Sequence, residues 1–142
     1  SLSVQNRRKS RVGHAFENHI TEILLKNKVS FEKGVYTEGK QKPDFLFPSR
    51  SAYLDLDFDT GKLHILAAKT TCKERWRQVL TEGDRVKNKH LITLEPAISR
   101  DQIEQMVGMN VQLVVPAALH QTYLPEQQCA LLTFKNFIKV VK

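Results

Sequence analysis

The sequence predicts one α/β domain with a mixed central sheet and helices on its faces. Its 142 residues suit a single domain, and a hydrophobic content of 41% allows an ordinary core. Helical spacings alternate with short strand-like runs in the order α-β-β-β-α-β-α-β-α. The chain begins with Ser and not Met, which is compatible with a fragment of a longer protein.

The N-terminal half predicts one helix and three strands. An apolar stripe at helical spacing, from Val12 to Leu24, predicts the helix. The strands are expected around residues 31–35, between Pro43 and Pro48, and over residues 62–71. A loop is expected over residues 49–61.

The C-terminal half predicts three helices and two strands. Trp76, Val79, Leu80 and Gly83 recur at helical spacing, so an amphipathic helix is expected over residues 73–83. Ser99 starts a second helix through a capping box. Strands are expected at residues 90–94 and 111–115. The final helix is expected in the segment that contains Leu131, Phe134, Phe137 and Ile138.

Charge and composition restrict the class of partner. Lys and Arg total 22 against 15 Asp and Glu, a net charge of +7, which favours an anionic partner and nucleic acid first. No apolar run approaches the roughly 18 residues of a membrane span. Two cysteines are too few for a disulfide framework, so we expect reduced thiols in a cytoplasmic protein.

Three charged residues have the chemistry that phosphodiester cleavage requires. Such cleavage needs carboxylates that hold a divalent metal and a cation that stabilises developing charge. Asp44 follows a proline in a short strand, Lys69 lies near the end of the next long strand, and Glu82 comes on the helix after it. Each residue alone is more often a solvated charge, so the hypothesis depends on their combination.

Two runs of sequence carry a family resemblance. The run Lys69–Gln78, KTTCKERWRQ, and the earlier run Lys42–Pro48, KPDFLFP, resemble the catalytic domain of EcoRII-type restriction endonucleases, in the PD-(D/E)XK nuclease superfamily. The resemblance extends over about residues 6–116 and implies a restriction-endonuclease-like fold. The segment after Pro116 does not align.

The resemblance implies roles for the three charged residues. Asp44 corresponds to a metal-binding carboxylate, Lys69 to the motif lysine, and Glu82 to the second carboxylate of a Mg²⁺ site. This sequence departs from the superfamily pattern in one respect. Ala67 stands two residues before the lysine, where the pattern expects an acid. The second carboxylate is therefore expected on the following helix, at Glu82.

For two further residues, a catalytic role and an ordinary structural or surface role fit the sequence equally well. Tyr53 is similar in position to a family active-site residue, but it equally suits a partly packed loop tyrosine. Glu17 lies at the border of the first helix's apolar stripe, where superfamily members often place a metal-site carboxylate. A surface glutamate fits Glu17 equally well.

Basic residues on either side of the candidate site predict DNA contacts. Lys and Arg donate to guanine and Glu accepts from cytosine, so the triplet Lys73-Glu74-Arg75 suits C·G readout, with Arg77 beside it. A solvated helix start is the alternative. Arg8 and Lys9 are candidates for phosphate contacts, or belong to a solvated helix start.

The resemblance implies a Mg²⁺-dependent endonuclease that cleaves double-stranded DNA at a CCWGG-like site, as part of a restriction-modification system. Cleavage of both strands of a near-palindrome favours a homodimer. Two alternatives stay open: a repair or junction-resolving nuclease of the same superfamily, and a non-catalytic DNA-binding module.

Overall fold

The computed structural model describes residues 2–72 and 75–142, and the side chains from residue 11 onward. The six strands are β1 (Glu32–Lys33), β2 (Phe45–Phe47), β3 (His64–Lys69), β4 (Lys89–Thr93), β5 (Val111–Val114) and β6 (Leu131–Leu132). The α-helices are α1 (Leu2–Lys26), α2 (Arg50–Leu54), α3 (Arg100–Gly108), α4 (Pro125–Gln128) and α5 (Phe134–Val141). Three 3₁₀ helices span Thr60–Lys62, Arg75–Thr81 and Ala117–Thr122.

The six strands form one sheet in the order β1-β2-β3-β4-β5-β6. The first three strands pair antiparallel, and β3 to β6 pair parallel, which confirms the predicted mixed α/β sheet. Phe45 at the start of β2 pairs with Leu66 of β3. Residue 44 therefore lies beside the carboxyl end of β3.

The sheet separates two hydrophobic layers. Side chains alternate along β3, so Ile65 and Ala67 enter one layer and Leu66 enters the other. The layer of Leu66 contains buried residues of α1 and α5. The opposite layer contains Trp76 and Val79, together with buried residues of α3. The 3₁₀ helix Arg75–Thr81 consequently covers the face of β3 that Lys69 shares with Ile65 and Ala67.

The amphipathic helix predicted over residues 73–83 is a 3₁₀ helix over Arg75–Thr81, and residues 73 and 74 lie outside the described residues. With about three residues per turn, Trp76, Val79 and Glu82 follow one another on one side. Glu82 therefore continues the buried stripe, where an α-helical wheel puts it beside that stripe. Gly83 ends the segment at φ +60, and a Cβ there would lie 3.3 Å from Ile65.

Other boundaries differ from the predictions because of local capping and edge pairing. Leu131 belongs to β6, and the final helix starts after it, where the Thr133 hydroxyl accepts a hydrogen bond from the Asn136 amide at 3.1 Å. The predicted loop over 49–61 contains α2, which Ser49 caps.

The buried stripe of α1 differs from the prediction at its start. Val12 is 53% exposed, so the stripe begins at Phe16 among the described side chains. No helix within the described ranges combines the length and apolarity of a bilayer span.

Candidate active site

Asp44 is attached to β3 through its side chain. The Ala68 amide donates to Asp44 Oδ2 at 2.8 Å, and the Gly34 amide donates to the Asp44 carbonyl at 3.1 Å. The carboxylate therefore lies next to the residue that precedes Lys69. The structure places these two predicted site residues at one end of β3, as the strand spacing predicts.

The carboxyl end of β3 is fixed by hydrogen bonds to the chain that follows β4. The Thr93 hydroxyl donates to the Thr70 carbonyl at 3.3 Å, and the Cys72 amide donates to Glu95 Oε2 at 2.8 Å. Lys69 itself pairs in register with Thr93. These contacts hold the backbone of Lys69 in place.

Glu82 has the most perturbed carboxylate at this end of the sheet. Burial first and the negative charge of Asp44 second raise the pKa of Glu82, and Lys69 and Lys89 act in the opposite direction; the net result is a pKa of about 7. Its Oε2 atom is buried and has no hydrogen-bond partner among the described residues. An unpartnered buried carboxylate oxygen is costly, and a bound cation would remove that cost.

The donor set fits Mg²⁺. Within the described ranges, no group of three or more His, Cys, Asp and Glu side chains is close enough to hold a metal. Mg²⁺ does not need such a group, because it usually binds one or two carboxylates, several waters and substrate phosphates. Asp44 and Glu82 are the two carboxylates that suit it here.

Glu17 approaches the same site from α1, in the other layer. Burial raises the pKa of Glu17, and Asp44 is the second cause of the increase. The positive charges of Lys33, His14 and Lys69 lower that pKa. Glu17 therefore senses both Asp44 and Lys69 electrostatically. Its metal-binding role stays a prediction.

Tyr53 is a core residue with only 2% of its surface exposed. Its hydroxyl donates to Glu38 Oε1 and accepts from the Arg85 amide at 3.2 Å, and the Arg85 guanidinium lies 5.6 Å from the ring centre. Burial is the main reason why the pKa of Tyr53 rises to about 12. These contacts fit the packed alternative, and a catalytic role for Tyr53 stays a prediction.

The structure describes two of the predicted DNA-reading side chains. Arg75 is exposed at the start of its 3₁₀ helix, where its amide donates to the Cys72 carbonyl at 2.7 Å. Arg77 is exposed, lies 4.7 Å from the Trp76 ring centre and donates to Gln105 at 2.8 Å. Lys73 and Glu74, and the side chains of Arg8 and Lys9, lie outside the described part.

Lys89 is a buried cation near Glu82 that the spacing analysis misses. It starts β4, only 9% of its surface is exposed, and its charge lowers the pKa of Glu82. The signal in the sequence is a lysine directly before the apolar strand run His90-Leu91-Ile92. An apolar strand gives no indication of which carboxylate its lysine approaches, so only the fold identifies Glu82.

Comparison with known sequences gives one family. The chain matches the family described as "EcoRII C terminal" over residues 1–138, so the resemblance extends beyond Pro116, the limit expected from the sequence motifs. It is 44% identical, over 137 residues, to the type II restriction enzyme EcoRII of Escherichia coli. The match covers 96% of this chain but 34% of that enzyme, so the chain spans about a third of the relative's length.

Comparison with solved structures supports the predicted fold. Metal-depleted Ecl18kI in complex with uncleaved DNA has a TM-score of 0.83 at 24% identity, covering 99% of this chain and 47% of that one. The restriction endonuclease PspGI in a substrate DNA complex has a TM-score of 0.78 at 21% identity, covering 99% and 65%. These neighbours confirm a restriction-endonuclease-like fold.

Proposed function

The chain belongs to the EcoRII C-terminal family, and we propose that it carries the active site of a type II restriction endonuclease of the PD-(D/E)XK superfamily. The substrate is double-stranded DNA, and the cofactor is Mg²⁺. One observation carries the proposal: the buried, unpartnered Oε2 of Glu82 lies in the electrostatic field of Asp44 and Lys69. This is the arrangement that a metal-bound phosphate would complete.

Asp44 and Glu82 would hold the metal, which supplies Lewis-acid stabilisation of the phosphate when bound. Asp44 is oriented by the Ala68 amide, so its carboxylate is already positioned before substrate binds. Glu82 must lose its proton to bind a cation, and its raised pKa makes that step pH-dependent near neutrality.

Lys69 is the cation of the site. Hydrolysis adds water to phosphorus and breaks one P–O bond, so negative charge increases on the phosphate oxygens in the transition state. The ammonium group of Lys69, at the end of β3, would stabilise that charge or orient the attacking water.

Sequence recognition would come from the 3₁₀ helix and the residues before it. We assign C·G readout to Lys73, Glu74 and Arg75, with Arg77 beside them and Arg8 and Lys9 on phosphates. The 44% identity to EcoRII supports a CCWGG-like site. A near-palindromic site implies a homodimer with one active site per subunit, acting in the cytoplasm within a restriction-modification system.

A plasmid cleavage assay tests this function. The purified chain is incubated with plasmid in Mg²⁺ or in EDTA, and the product ends are sequenced, with Asp44→Asn as the inactive control. We expect Mg²⁺-dependent cuts at one short sequence. Cuts at branched structures without sequence preference would indicate a junction-resolving nuclease instead. DNA binding without cleavage would indicate a non-catalytic module.

A further inference from the structure

The loop of residues 36–42 connects β1 to β2 and ends just before Asp44, at the same edge of the sheet as Lys69. Two backbone hydrogen bonds close it into a compact turn. The Thr37 amide donates to the Gln41 carbonyl at 3.0 Å, and the Gln41 amide donates to the Glu38 carbonyl at 2.7 Å. Gly39, at φ +48, permits this turn.

Three side-chain contacts fix the loop against neighbouring elements. Arg50 Nε donates to the Tyr36 carbonyl at 2.8 Å, and the Tyr53 hydroxyl donates to Glu38. On the other side, the Thr81 hydroxyl donates to Gln41 Oε1 at 3.0 Å. Thr81 directly precedes Glu82, so the loop is attached to the segment that carries the second candidate metal ligand.

This fixed loop exposes an aromatic ring and two cations. Tyr36 is 53% exposed, and Lys40 and Lys42 are both exposed. Lys42 Nζ lies 5.5 Å from the Tyr36 ring centre, within the range of a cation–π contact. Across the described residues, the one salt bridge joins Arg100 and Glu126, so Lys42 is not paired with a carboxylate.

Lys42 has a fixed relation to Asp44. Only Pro43 separates them, and its ring restricts the backbone between them. The two Cα atoms therefore lie within about 7.6 Å of each other. The exposed Lys42 side chain therefore starts two residues from the Asp44 carboxylate, and among the described residues it has no carboxylate partner that would compete with a DNA phosphate.

We infer that Lys42 binds a DNA backbone phosphate next to the scissile one, and that Tyr36 is the positioning residue that holds the ammonium in place. The inference rests on the proposed function and deepens it. Sequence reasoning gave Lys42 no role in the site. The ring of Tyr36 limits the conformations of Lys42 before DNA arrives, which lowers the entropic cost of the contact.

The salt dependence of DNA binding, measured in Ca²⁺, tests the contact. Lys42→Ala should weaken binding to cognate and random DNA by the same factor, and should reduce the log–log salt slope by about 0.9. Lys42→Arg should keep the slope. The matched control is Lys62→Ala, an exposed lysine before the amino end of β3, which should leave affinity and slope at wild-type values.

A chemical substitution in the DNA locates the phosphate. Replacing the phosphates that flank the cut, one at a time, by neutral methylphosphonates should reproduce the loss of Lys42→Ala at one position. At that position the variant should show no further loss, because both changes remove the same contact. Tyr36→Phe should bind normally, whereas Tyr36→Leu should lose part of the affinity.

The outcomes separate this inference from the proposed function. A Lys42→Ala variant with the wild-type slope, or additive losses at both flanking phosphates, would overturn the phosphate contact while cleavage by the wild type upholds the function. A wild-type chain that binds no DNA would overturn both. Equal binding by Tyr36→Leu and wild type would remove the positioning role of Tyr36 alone.

Discussion

Two groups near β3 each bury an ionisable side chain, but with opposite electrostatic results: the charge cluster of Asp44, Lys69 and Glu82, and the histidine pair His64 and His90. In the charge cluster, burial raises the pKa of Glu82, to about 7. In the histidine pair, at the amino end of β3, burial lowers the pKa of His90 to about 4 and also lowers that of His64. Each group also contains a buried atom without a hydrogen-bond partner among the described residues, Glu82 Oε2 and His90 Nδ1.

The surroundings of these two atoms differ. His90 lies 4.9 Å from the Phe137 ring and 5.9 Å from the His64 ring, measured between ring centres. This aromatic environment stabilises the neutral imidazole, which needs no counter-ion. Glu82 instead lies among the charges of Asp44, Lys69 and Lys89. An unpartnered buried atom is therefore a candidate ligand atom only where charged groups, and not aromatic rings, surround it.

A cavity of about 360 Å³ adjoins His64 and His90 at the amino end. A second cavity, lined by residues of α3 and α4, has nearly the same volume of about 350 Å³. The comparison shows that charge arrangement, and not cavity volume, identifies the candidate active site.

Removing the charges of the carboxyl end should have the largest effect. Asp44→Ala and Lys69→Ala should each reduce cleavage by about 10²–10³-fold or more, because each removes a group that stabilises charge at the phosphate. His64→Ala, at the amino end, is the control and should cleave normally. Lys69→Ala should still bind cognate DNA in Ca²⁺. Rapid cleavage by either charge-removing variant would contradict the assignment.

Glu82 and His90 should also have opposite effects on the pH dependence of stability. Because folding lowers the pKa of His90, its contribution is complete above pH 6.5 and is lost as the pH falls toward 4, up to about 3 kcal/mol. Folding raises the pKa of Glu82, so its contribution is present below 4.5 and is lost as the pH rises through 7. The measurement is the free energy of unfolding between pH 4 and 8, without metal.

Variants assign each part of that pH profile. His90→Gln should remove the loss of stability on acidification, and Glu82→Gln should remove the loss on approach to neutral pH. If His90→Gln kept the wild-type acid profile, the lowered pKa would belong to another group.

Arg75 tests whether the carboxyl end also reads sequence. Arg75→Ala should cost about 1–3 kcal/mol on the cognate site and little on random DNA, since a base contact carries specificity. Arg8→Ala should weaken both kinds of DNA similarly, because a phosphate contact does not depend on sequence. The affinity ratio at one salt concentration is the measurement. An unchanged ratio in Arg75→Ala would leave the segment as a solvated helix start.

The smallest expected effect is the stabilisation of the folded chain by Mg²⁺ in the absence of DNA. At ten times its dissociation constant, Mg²⁺ should stabilise the wild-type chain by about 1.4 kcal/mol. Glu82→Gln should lose most of this stabilisation, whereas His90→Gln should keep it. Thermal unfolding with and without Mg²⁺ measures both. Equal stabilisation of Glu82→Gln and wild type would remove Glu82 from the metal site.

The sequence predicts which strand ends carry Asp44 and Lys69, but it does not predict the helix type or the buried lysine near Glu82. Asp44 and Lys69 could be placed together because both follow from strand ends in a mixed sheet. The 3₁₀ helix was not predictable, since the apolar residues Trp76, Val79 and Leu80 fit an α-helical period as well. The burial of Lys89 depends on contacts between β4 and a segment that precedes it, which no local pattern records.

The shortness of the 3₁₀ helix Arg75–Thr81 has a consequence for protein engineering. Arg75 begins this seven-residue segment, and Glu82 follows its end, with no flexible linker between them. If Arg75 reads a base as proposed, a substitution that redirects it to a different base would shift the same short segment and displace the carboxylate. Redesign of specificity in this chain should therefore select for turnover and recognition together, because libraries screened for binding alone will accumulate inactive variants.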